Sequence, residues 1–398
     1  MKFPNKKVSP IDLFAGAGGM SLGFENAGFE IPLAVEIDDW AVDTYRKNRE
    51  NSNVIKNDIL EIDNAFFKQF SGIDAVIGGP PCQGFSISAS NRRNPDDPRN
   101  YLYRQFLRVI KLVKPRIVFM ENVKEIVKFV LPNGKLLLDE IIFCLEELGY
   151  SIKPFIINAA DFGIPQERIR FFMVASLGPV PDLLQEATYS ETVDLLRPNK
   201  YRDVYSAISD LPAVYPRQHE EGDTFEYDNQ PVNNYQRLMR KGSANIYNHI
   251  PMRHTDRTIE KFKMIRTQGI DSLPENLRSR TRGDSSKISN KTYSQNHRRI
   301  NPTKPSPTIT ASFYSSFIHP YQDRNLTVRE AARIQSFPDN YIFYGKRTTL
   351  SKKLLEKKGI FEDVHLDQFN QVGNAVPPLL AEKFASIIIQ SLKGEFVK

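Results

Sequence analysis

The chain has 398 residues, of which 40% are hydrophobic and 25% charged, a composition typical of a soluble globular protein with a sizeable core. No run approaches the roughly eighteen apolar residues of a membrane span, and the basic N-terminus leads into no apolar stretch typical of a secretory signal. The two cysteines, Cys82 and Cys144, exclude a disulfide framework and show no metal-ligand spacing with the six histidines. We therefore expect a cytoplasmic protein that has neither a membrane segment nor a metal site.

The net charge of +7 is concentrated in one part of the chain. Residues 231–300 contain 15 Lys and Arg against 5 Asp and Glu, whereas residues 181–230 contain 4 against 11. A basic segment of this kind suits contact with a phosphate backbone. A solvated basic face would have the same composition, and charge alone does not separate the two interpretations.

Strand-like and helix-like runs alternate through the N-terminal part of the chain. The predicted strands are 8–14, 31–37, 73–79, 115–122, 151–158 and 168–176, with a further short strand before Asp58. The predicted helices are 20–27, 40–48, 101–113 and 135–150. This alternation predicts an α/β fold with a mostly parallel sheet, whose ligand lies beyond the carboxyl ends of the strands.

The alternation stops near residue 183 and ordered runs return after residue 300. We predict a catalytic and cofactor-binding domain of residues 1–180 plus 301–398, and a smaller, irregular domain of residues 181–300. The run 374–392 predicts a C-terminal helix that begins at a proline pair, where proline is tolerated.

A glycine-rich loop follows the first predicted strand. Gly16, Gly18 and Gly19 would let the backbone approach a ligand closely, and Glu36 ends the second strand at a distance suited to ribose hydroxyls. The dinucleotide pattern is broken at Ser21, which favours a single nucleoside over a dinucleotide. The alternative is a plain tight turn without a ligand.

The stretch "GGPPCQGFS" places Cys82 after the strand 73–79, at the same predicted sheet edge. Two prolines stiffen the approach to the thiol, and the polar residues 83–100 that follow suit a mobile loop. A cysteine in this position has the character of a nucleophile once its pKa is lowered. Cys144 lies in the apolar helical run "IIFCLEEL", where core packing is the better interpretation.

Three further charged residues are predicted at the same edge. Glu121 ends the strand 115–122 and would serve as a general acid if its pKa is raised. Arg168 and Arg170 are two positions apart on a predicted strand, so we expect them on one face. Taken singly, each of these residues has a surface salt bridge as its default interpretation.

Together, the ordered motifs "DLFAGAGG", "VEID", "GGPPCQGFS", "ENV", "QERIRFF", "NPTKPSPTITA" and "QVGNAVPP" resemble those of the cytosine-C5 DNA methyltransferases of bacterial restriction-modification systems. The resemblance implies a Rossmann-like, S-adenosyl-methionine-dependent methyltransferase sheet with residues 181–300 as target-recognition domain. One departure is the run 341–371, which is longer than the family usually carries there and has no assigned role. The cofactor positions implied by the resemblance are Phe14, Gly16, Gly18, Gly19, Glu36, Ile37, Asp58, Ile59, Pro80, Leu102, Asn374 and Val376.

The resemblance also implies a mechanism on cytosine in double-stranded DNA. Cys82 would add to C6 of a flipped-out base, Glu121 would hold a proton at N3, and Arg168 and Arg170 would support the base, Glu121 and the catalytic loop. The implied C-terminal motif requires the C-terminus to fold back onto the N-terminal sheet. We predict DNA contacts at Gln83, Ser86, Arg92, Arg93, Lys261, Lys263 and Arg266.

Three alternatives stay open at this level. The same chemistry could act on tRNA, although the long basic segment favours DNA. A DNA-binding regulator without activity and a nicotinamide oxidoreductase are the others, and neither gives a role to the cysteine loop. We expect a monomer that modifies double-stranded DNA. The chain does not reveal whether a companion restriction endonuclease acts on the same site, which sequence is recognised, or which base removes the C5 proton.

Overall fold

We describe the protein from a computed structural model that covers residues 8–81, 101–216, 224–281, 284–288, 297–350 and 352–394. The strands are, in chain order, β1 (Pro10–Leu13), β2 (Leu33–Glu36), β3 (Val54–Lys56), β4 (Ala75–Gly78), β5 (Ile117–Val123), β6 (Ser151–Asn158), β7 (Gln166–Glu167), β8 (Ile169–Ser176), β9 (Tyr189–Ser190), β10 (Asn199–Lys200), β11 (Thr224–Phe225), β12 (Ile246–Tyr247), β13 (Arg280–Thr281), β14 (Asp284–Ile288), β15 (Arg298–Arg299), β16 (Ser306–Pro307) and β17 (Phe317–Ile318). The helices are α1 (Gly19–Asn26), α2 (Asp39–Lys47), α3 (Asn64–Lys68), α4 (Leu102–Val113), α5 (Leu137–Glu146), α6 (Val204–Ile208), α7 (Asn234–Arg240), α8 (Asp256–Gln268), α9 (Phe313–Ser316), α10 (Val328–Ile334), α11 (Lys352–Lys357), α12 (Gln368–Asn374) and α13 (Pro378–Lys393).

The central sheet has seven strands in the order β3-β2-β1-β4-β5-β8-β6. Strands β1 to β5 pair in parallel, as predicted, whereas β8 runs antiparallel to both β5 and β6. The chain crosses over at β1, where neighbouring connections leave in opposite directions, and this is where such sheets bind ligands. The fold is therefore the predicted Rossmann-like α/β methyltransferase sheet.

Two strand boundaries differ from prediction in a way that matters for the site. Strand β1 ends at Leu13, because Phe14 turns the backbone into the left-handed region with φ 62°. Strand β8 begins at Ile169, so Arg168 lies between β7 and β8 rather than within the strand. The two-residue spacing had predicted both arginines on one face of a strand. Only Arg170 lies within β8, and Arg168 directly precedes it.

Apolar residues on both faces of the sheet form two cores. Helices α4 and α5 cover one face, and helices α1 and α13 cover the other. The contact between α1 and α13 is close, since an added Cβ at Gly23 would lie 2.4 Å from the carbonyl oxygen of Pro378. The C-terminus thus folds back onto the N-terminal part of the sheet, as the resemblance implied.

Gly23→Ala is expected to destabilise the protein by about 1–3 kcal/mol, because the added methyl group overpacks the contact with α13. Gly178→Ala is the matched control: it has a negative φ and its nearest neighbour would be 3.9 Å away. Urea unfolding of both variants measures the difference. Equal stability of the two variants would contradict the close packing of the helices.

A third core joins the polar second region to the C-terminal part of the chain. Residues from α6, α7 and β12 pack there against residues from α9, α10 and α12. The core therefore crosses position 300, where the sequence predicted a domain boundary. The boundaries 181 and 300 stay a prediction, and the structure adds that apolar residues between Ile309 and Phe343, together with Phe369 and Val372, pack against the second region.

One stretch, Gln368–Lys393, is long and apolar enough by composition to cross a membrane, with a mean hydropathy of 1.2. It is divided into α12 and α13 at residues 375–377. Most of it is buried within the protein, where α13 packs on α1. This is the pattern of a core helix of a soluble protein.

Candidate active site

A cavity of about 620 Å³ lies at the carboxyl ends of β1, β2, β4 and β5. Residues from nine separate stretches of the chain line it. All of the predicted cofactor positions except Gly18 are among them, and so are the three predicted catalytic residues that the structure describes. These lining residues are Phe14, Gly16, Gly19, Glu36, Ile37, Asp58, Ile59, Pro80, Leu102, Glu121, Arg168, Arg170, Asn374 and Val376.

Glu36 organises the glycine-rich loop. Its Oε2 accepts a hydrogen bond from the N–H of Gly16 at 2.7 Å, and its Oε1 accepts from the N–H groups of Ile37 and Asp38, both at 2.9 Å. Burial raises the pKa of this carboxyl, and the three backbone donors oppose the shift. Oε1 is filled by two donors, whereas Oε2 accepts only one hydrogen bond and keeps the acceptor capacity that recognition of a ribose hydroxyl requires.

Gly18 lies on the side of the glycine-rich loop that faces away from the cavity. It is the N-cap of α1 with φ 79°, and an added Cβ would lie 2.7 Å from the Tyr45 ring and 2.8 Å from the Arg49 guanidinium. Its carbonyl oxygen accepts a hydrogen bond from Arg49 Nη2 at 2.9 Å. Gly18 therefore fixes the loop against α2 and does not line the cavity.

Glu36→Ala is expected to raise the dissociation constant for S-adenosyl-methionine by about ten- to a hundredfold, since one charge-assisted hydrogen bond contributes roughly 1.5–3 kcal/mol. The Gly16 loop also loses its anchor, which adds to the effect. Calorimetry of the full chain measures the constant, with Glu30→Ala, an exposed carboxylate outside the cavity, as control. Unchanged affinity in Glu36→Ala would refute the assignment.

Glu121 faces the cavity from β5, beside the start of the cysteine stretch. Its Oε1 lies 3.4 Å from Nε of Arg170. Burial raises the pKa of Glu121, and the positive charges of Arg170 and Arg168 lower it in part. The carboxyl is thus placed to hold a proton closer to neutral pH than an exposed glutamate does.

Arg168 is only 2% exposed and binds backbone rather than Glu121. Its two terminal nitrogens donate to the carbonyl oxygens of Ile309, Gly373 and Ala375 at 2.8–3.2 Å. Its Nε is buried without a partner in the described structure. Arg168 therefore ties the catalytic strand region to the C-terminal segment that lines the cavity, and its Nε–H has no partner among the described residues.

Asn122 fixes the entry to the cysteine stretch. Its side-chain amide donates to the carbonyl oxygen of Pro80 at 2.9 Å, and its Oδ1 accepts the N–H of Val123. Pro81 also lines the cavity, and Cys82 follows it directly in the sequence. Cys82, Gln83, Ser86, Arg92 and Arg93 themselves lie outside the described residues.

The three basic residues predicted on α8 are not equivalent. Lys261 is only 7% exposed, and its ammonium donates to the Ser279 hydroxyl at 3.2 Å. Arg266 is exposed but forms a two-point ion pair with Asp323, at 3.0 and 2.9 Å. Lys263 is exposed. Lys261 is therefore buried in this structure and Lys263 is exposed, and their contact with DNA stays a prediction.

The cavity has further lining residues that sequence reasoning missed. Asp12 is buried and accepts the Ser21 hydroxyl at 2.6 Å; burial raises the pKa of Asp12 to about 7, and the Ser21 hydrogen bond opposes this shift. Leu366 and Gln371 reach the cavity from the run 341–371. One signal was present in "DDWAVDTYRKN": Trp40, Thr44 and Asn48 lie on one helical face. This spacing indicates that another segment packs on the helix, but not which segment.

The residues present fit an S-adenosyl-methionine cofactor. The cavity has the volume of a typical cofactor site, with a carboxylate at Glu36 for hydroxyl groups and apolar walls at Ile37, Ile59 and Leu102. Ile37 is 59% exposed, as expected of an apolar side chain that a bound ring would cover. The glycine-rich loop lets the ligand approach the backbone.

The comparisons with known proteins agree with this geometry. A family profile described as C-5 cytosine-specific DNA methylase matches residues 8–390. The chain is 44% identical over 380 residues to the Type II methyltransferase M.DdeI of Desulfomicrobium norvegicum, a match that covers 95% of this chain and 88% of that protein. It is 34% identical over 390 residues to the Type II methyltransferase M1.HphI of Haemophilus parahaemolyticus, covering 97% and 87%.

Solved structures show the same fold. A DNA modification methyltransferase encoded within an E. coli prophage superposes with a TM-score of 0.68 at 26% identity, covering 98% of this chain and 100% of that chain. The Entamoeba histolytica methyltransferase EhMeth, at 17% identity and a TM-score of 0.57 over 98% and 99%, agrees in fold alone. The chain therefore belongs to the C-5 cytosine-specific DNA methylase family, as its motifs predicted, and its activity is that of a DNA (cytosine-5)-methyltransferase.

Proposed function

We propose that the protein transfers a methyl group from S-adenosyl-methionine to C5 of a flipped-out cytosine in a specific duplex sequence, through a covalent adduct of Cys82. The observation that carries the proposal is the single cavity in which the predicted nucleoside-binding residues adjoin Glu121, Arg170 and the Pro80–Pro81 approach to Cys82. When bound, the cofactor supplies an electrophilic methyl group.

The thiolate of Cys82 supplies the electrons that C5 lacks. Addition of the Cys82 sulfur to C6 moves the C5–C6 electron pair to C5. C5 would then accept the methyl group, with S-adenosyl-homocysteine as the leaving group. A base removes the C5 proton, the double bond re-forms, and the thiolate departs. Because C6 is out of reach within stacked DNA, the base must leave the duplex before Cys82 attacks.

Glu121 stabilises the ring during addition. A protonated carboxyl donates to N3 of cytosine and offsets the negative charge that develops on the ring. Arg170, at 3.4 Å from Glu121, orients this carboxyl. Arg168 holds the segment 373–375 in place and is assigned a positioning role through those carbonyl groups.

One assay tests the substrate. The full chain is incubated with methyl-labelled S-adenosyl-methionine and duplex DNA, tRNA, or no nucleic acid. We expect label in DNA, at a C5 position located by bisulfite sequencing of plasmid carrying the gene. Label in tRNA alone would assign the chemistry to RNA, and cofactor or DNA binding without label would favour a regulator.

The relatives named Type II methyltransferases support a role in restriction and modification. We propose that this protein acts as a monomer and protects its site from a companion endonuclease. DNA from cells that express the gene would then resist cleavage by that endonuclease. Full cleavage of the methylated DNA would contradict this role.

We further propose that residues 181–300 select the DNA sequence, because this region is basic in 231–300 and departs from the strand–helix alternation of the catalytic part. Exchange for the same segment of a relative with a different target is expected to transfer that target, measured by bisulfite sequencing. Since the third core crosses position 300, the exchange should carry residues up to 318 in a second hybrid. Methylation that follows the catalytic part in both folded hybrids would contradict the assignment.

A further inference from the structure

The run 341–371, to which the sequence assigned no role, packs along helix α2. Thr44 donates its hydroxyl to Oε1 of Gln371 at 2.6 Å and accepts the N–H of Tyr344 at 2.8 Å. Asn48 accepts the N–H of Ile342 at 2.8 Å. Thr44 and Asn48 are four residues apart, so one face of α2 holds the segment at two successive turns.

The next anchor is at the start of α2, beside the cavity. Asp38 uses Oδ1 to cap the helix, accepting the N–H of Ala41 at 2.9 Å. Its Oδ2 accepts the N–H of Leu366 at 2.8 Å, and His365 Nδ1 lies 3.4 Å from the same oxygen. Both oxygens of Asp38 are therefore engaged in holding the start of α2 and the backbone of Leu366.

Leu366 is held on its other side as well. The buried side chain of Gln371 donates to the carbonyl oxygens of Leu366 at 2.8 Å and of Tyr344 at 2.9 Å. The backbone of Leu366 is thus fixed through both its N–H and its C=O. Its side chain lines the cavity together with Ile37 and Asp38, which follow the ribose-binding position in the chain.

We propose that Leu366 is a cofactor-binding residue that closes the nucleoside side of the pocket, and that Asp38, Thr44 and Gln371 are its positioning residues. This inference rests on the proposed function. The nucleoside would then contact two apolar lining residues, Ile37 and Leu366, which remove part of its surface from water. The run 341–371 accordingly forms one side of the cofactor site and is held there by hydrogen bonds to α2.

The test is calorimetry of the full-length chain with S-adenosyl-homocysteine, which has the same nucleoside and no transferable methyl group. Leu366→Ala is expected to raise the dissociation constant about five- to twentyfold. The KM for S-adenosyl-methionine should rise to a similar extent, while kcat at saturating cofactor and the affinity for DNA are unchanged. Leu350→Ala is the matched control, because Leu350 is 44% exposed in the same segment and lies outside the cavity lining.

The positioning role is tested separately with Thr44. Thr44→Val removes the hydroxyl and keeps the shape, so it should weaken S-adenosyl-homocysteine binding, and Thr44→Ser should restore it. If wild type binds the compound and methylates DNA but folded Leu366→Ala binds equally tightly, the inference is wrong and the proposed function stands. If wild type itself does not bind S-adenosyl-homocysteine, both the inference and the proposed function are wrong.

Discussion

Cys82→Ser is expected to lower the rate of methyl transfer by about 10⁴-fold or more, because a hydroxyl at this position lacks the nucleophilic thiolate on which every later step depends. Affinity for S-adenosyl-methionine should stay near that of wild type, since the described cofactor cavity is formed by other side chains. Cys144→Ser is the matched control, because Cys144 lies half-buried on α5 and does not line the cavity.

A trapping experiment tests for the covalent bond between the Cys82 sulfur and C6 of cytosine. Duplex DNA with 5-fluorocytosine at the target position should form a denaturation-resistant adduct with wild type and with Cys144→Ser, since fluorine cannot leave as a proton does. Cys82→Ser should form none. Near-normal turnover by Cys82→Ser, or an adduct that maps to another residue, would end the assignment of the nucleophile.

Glu121→Gln is expected to lower kcat by about 10²–10³-fold, the usual contribution of a positioned general acid. The amide keeps the shape and a hydrogen-bond donor but cannot deliver a proton to N3. In wild type, kcat should fall as the pH rises through the raised pKa of Glu121, and this limb should be lost in the variant. Glu125→Gln, on the short helix that follows β5 and outside the cavity lining, is the control.

The same substitution should affect stability in a defined direction. Because burial raises the pKa of Glu121 above its ordinary value of 4.5, the stability it contributes is complete below that value and is lost as the pH rises through the folded pKa. Glutamine has no such loss, so the stability of Glu121→Gln relative to wild type should increase with pH. A difference that is constant from pH 4 to pH 9 would contradict a raised pKa.

The sequence predicted the sheet well because alternation of apolar runs records local structure. It could not predict the direction of β8, since periodicity carries no sign for parallel or antiparallel pairing. Arg168 illustrates the same limit within the site. Its spacing to Arg170 suggested a shared strand face, but the strand begins one residue later and Arg168 turns to carbonyl groups more than 140 positions away.

Some of the cavity residues could be predicted from the sequence and others could not. Gly16, Glu36 and Pro80 stand in recognisable motifs at strand ends, so their convergence follows from the topology of a parallel sheet. Leu366 stands in no such motif. It reaches the cavity through hydrogen bonds to α2 from more than 300 positions away, a pairing that nothing in a single sequence records.

The close fit of α1 against α13 has a consequence for the order of events during synthesis. Gly19 and Gly23 are translated before the helix that packs on them and before the cavity residues Asn374 and Val376. A nascent chain therefore carries an exposed apolar face on α1 and an unfinished cofactor pocket until α13 has been translated. We therefore expect a chain interrupted before α13 to lack a complete cofactor site and to expose apolar surface that favours aggregation.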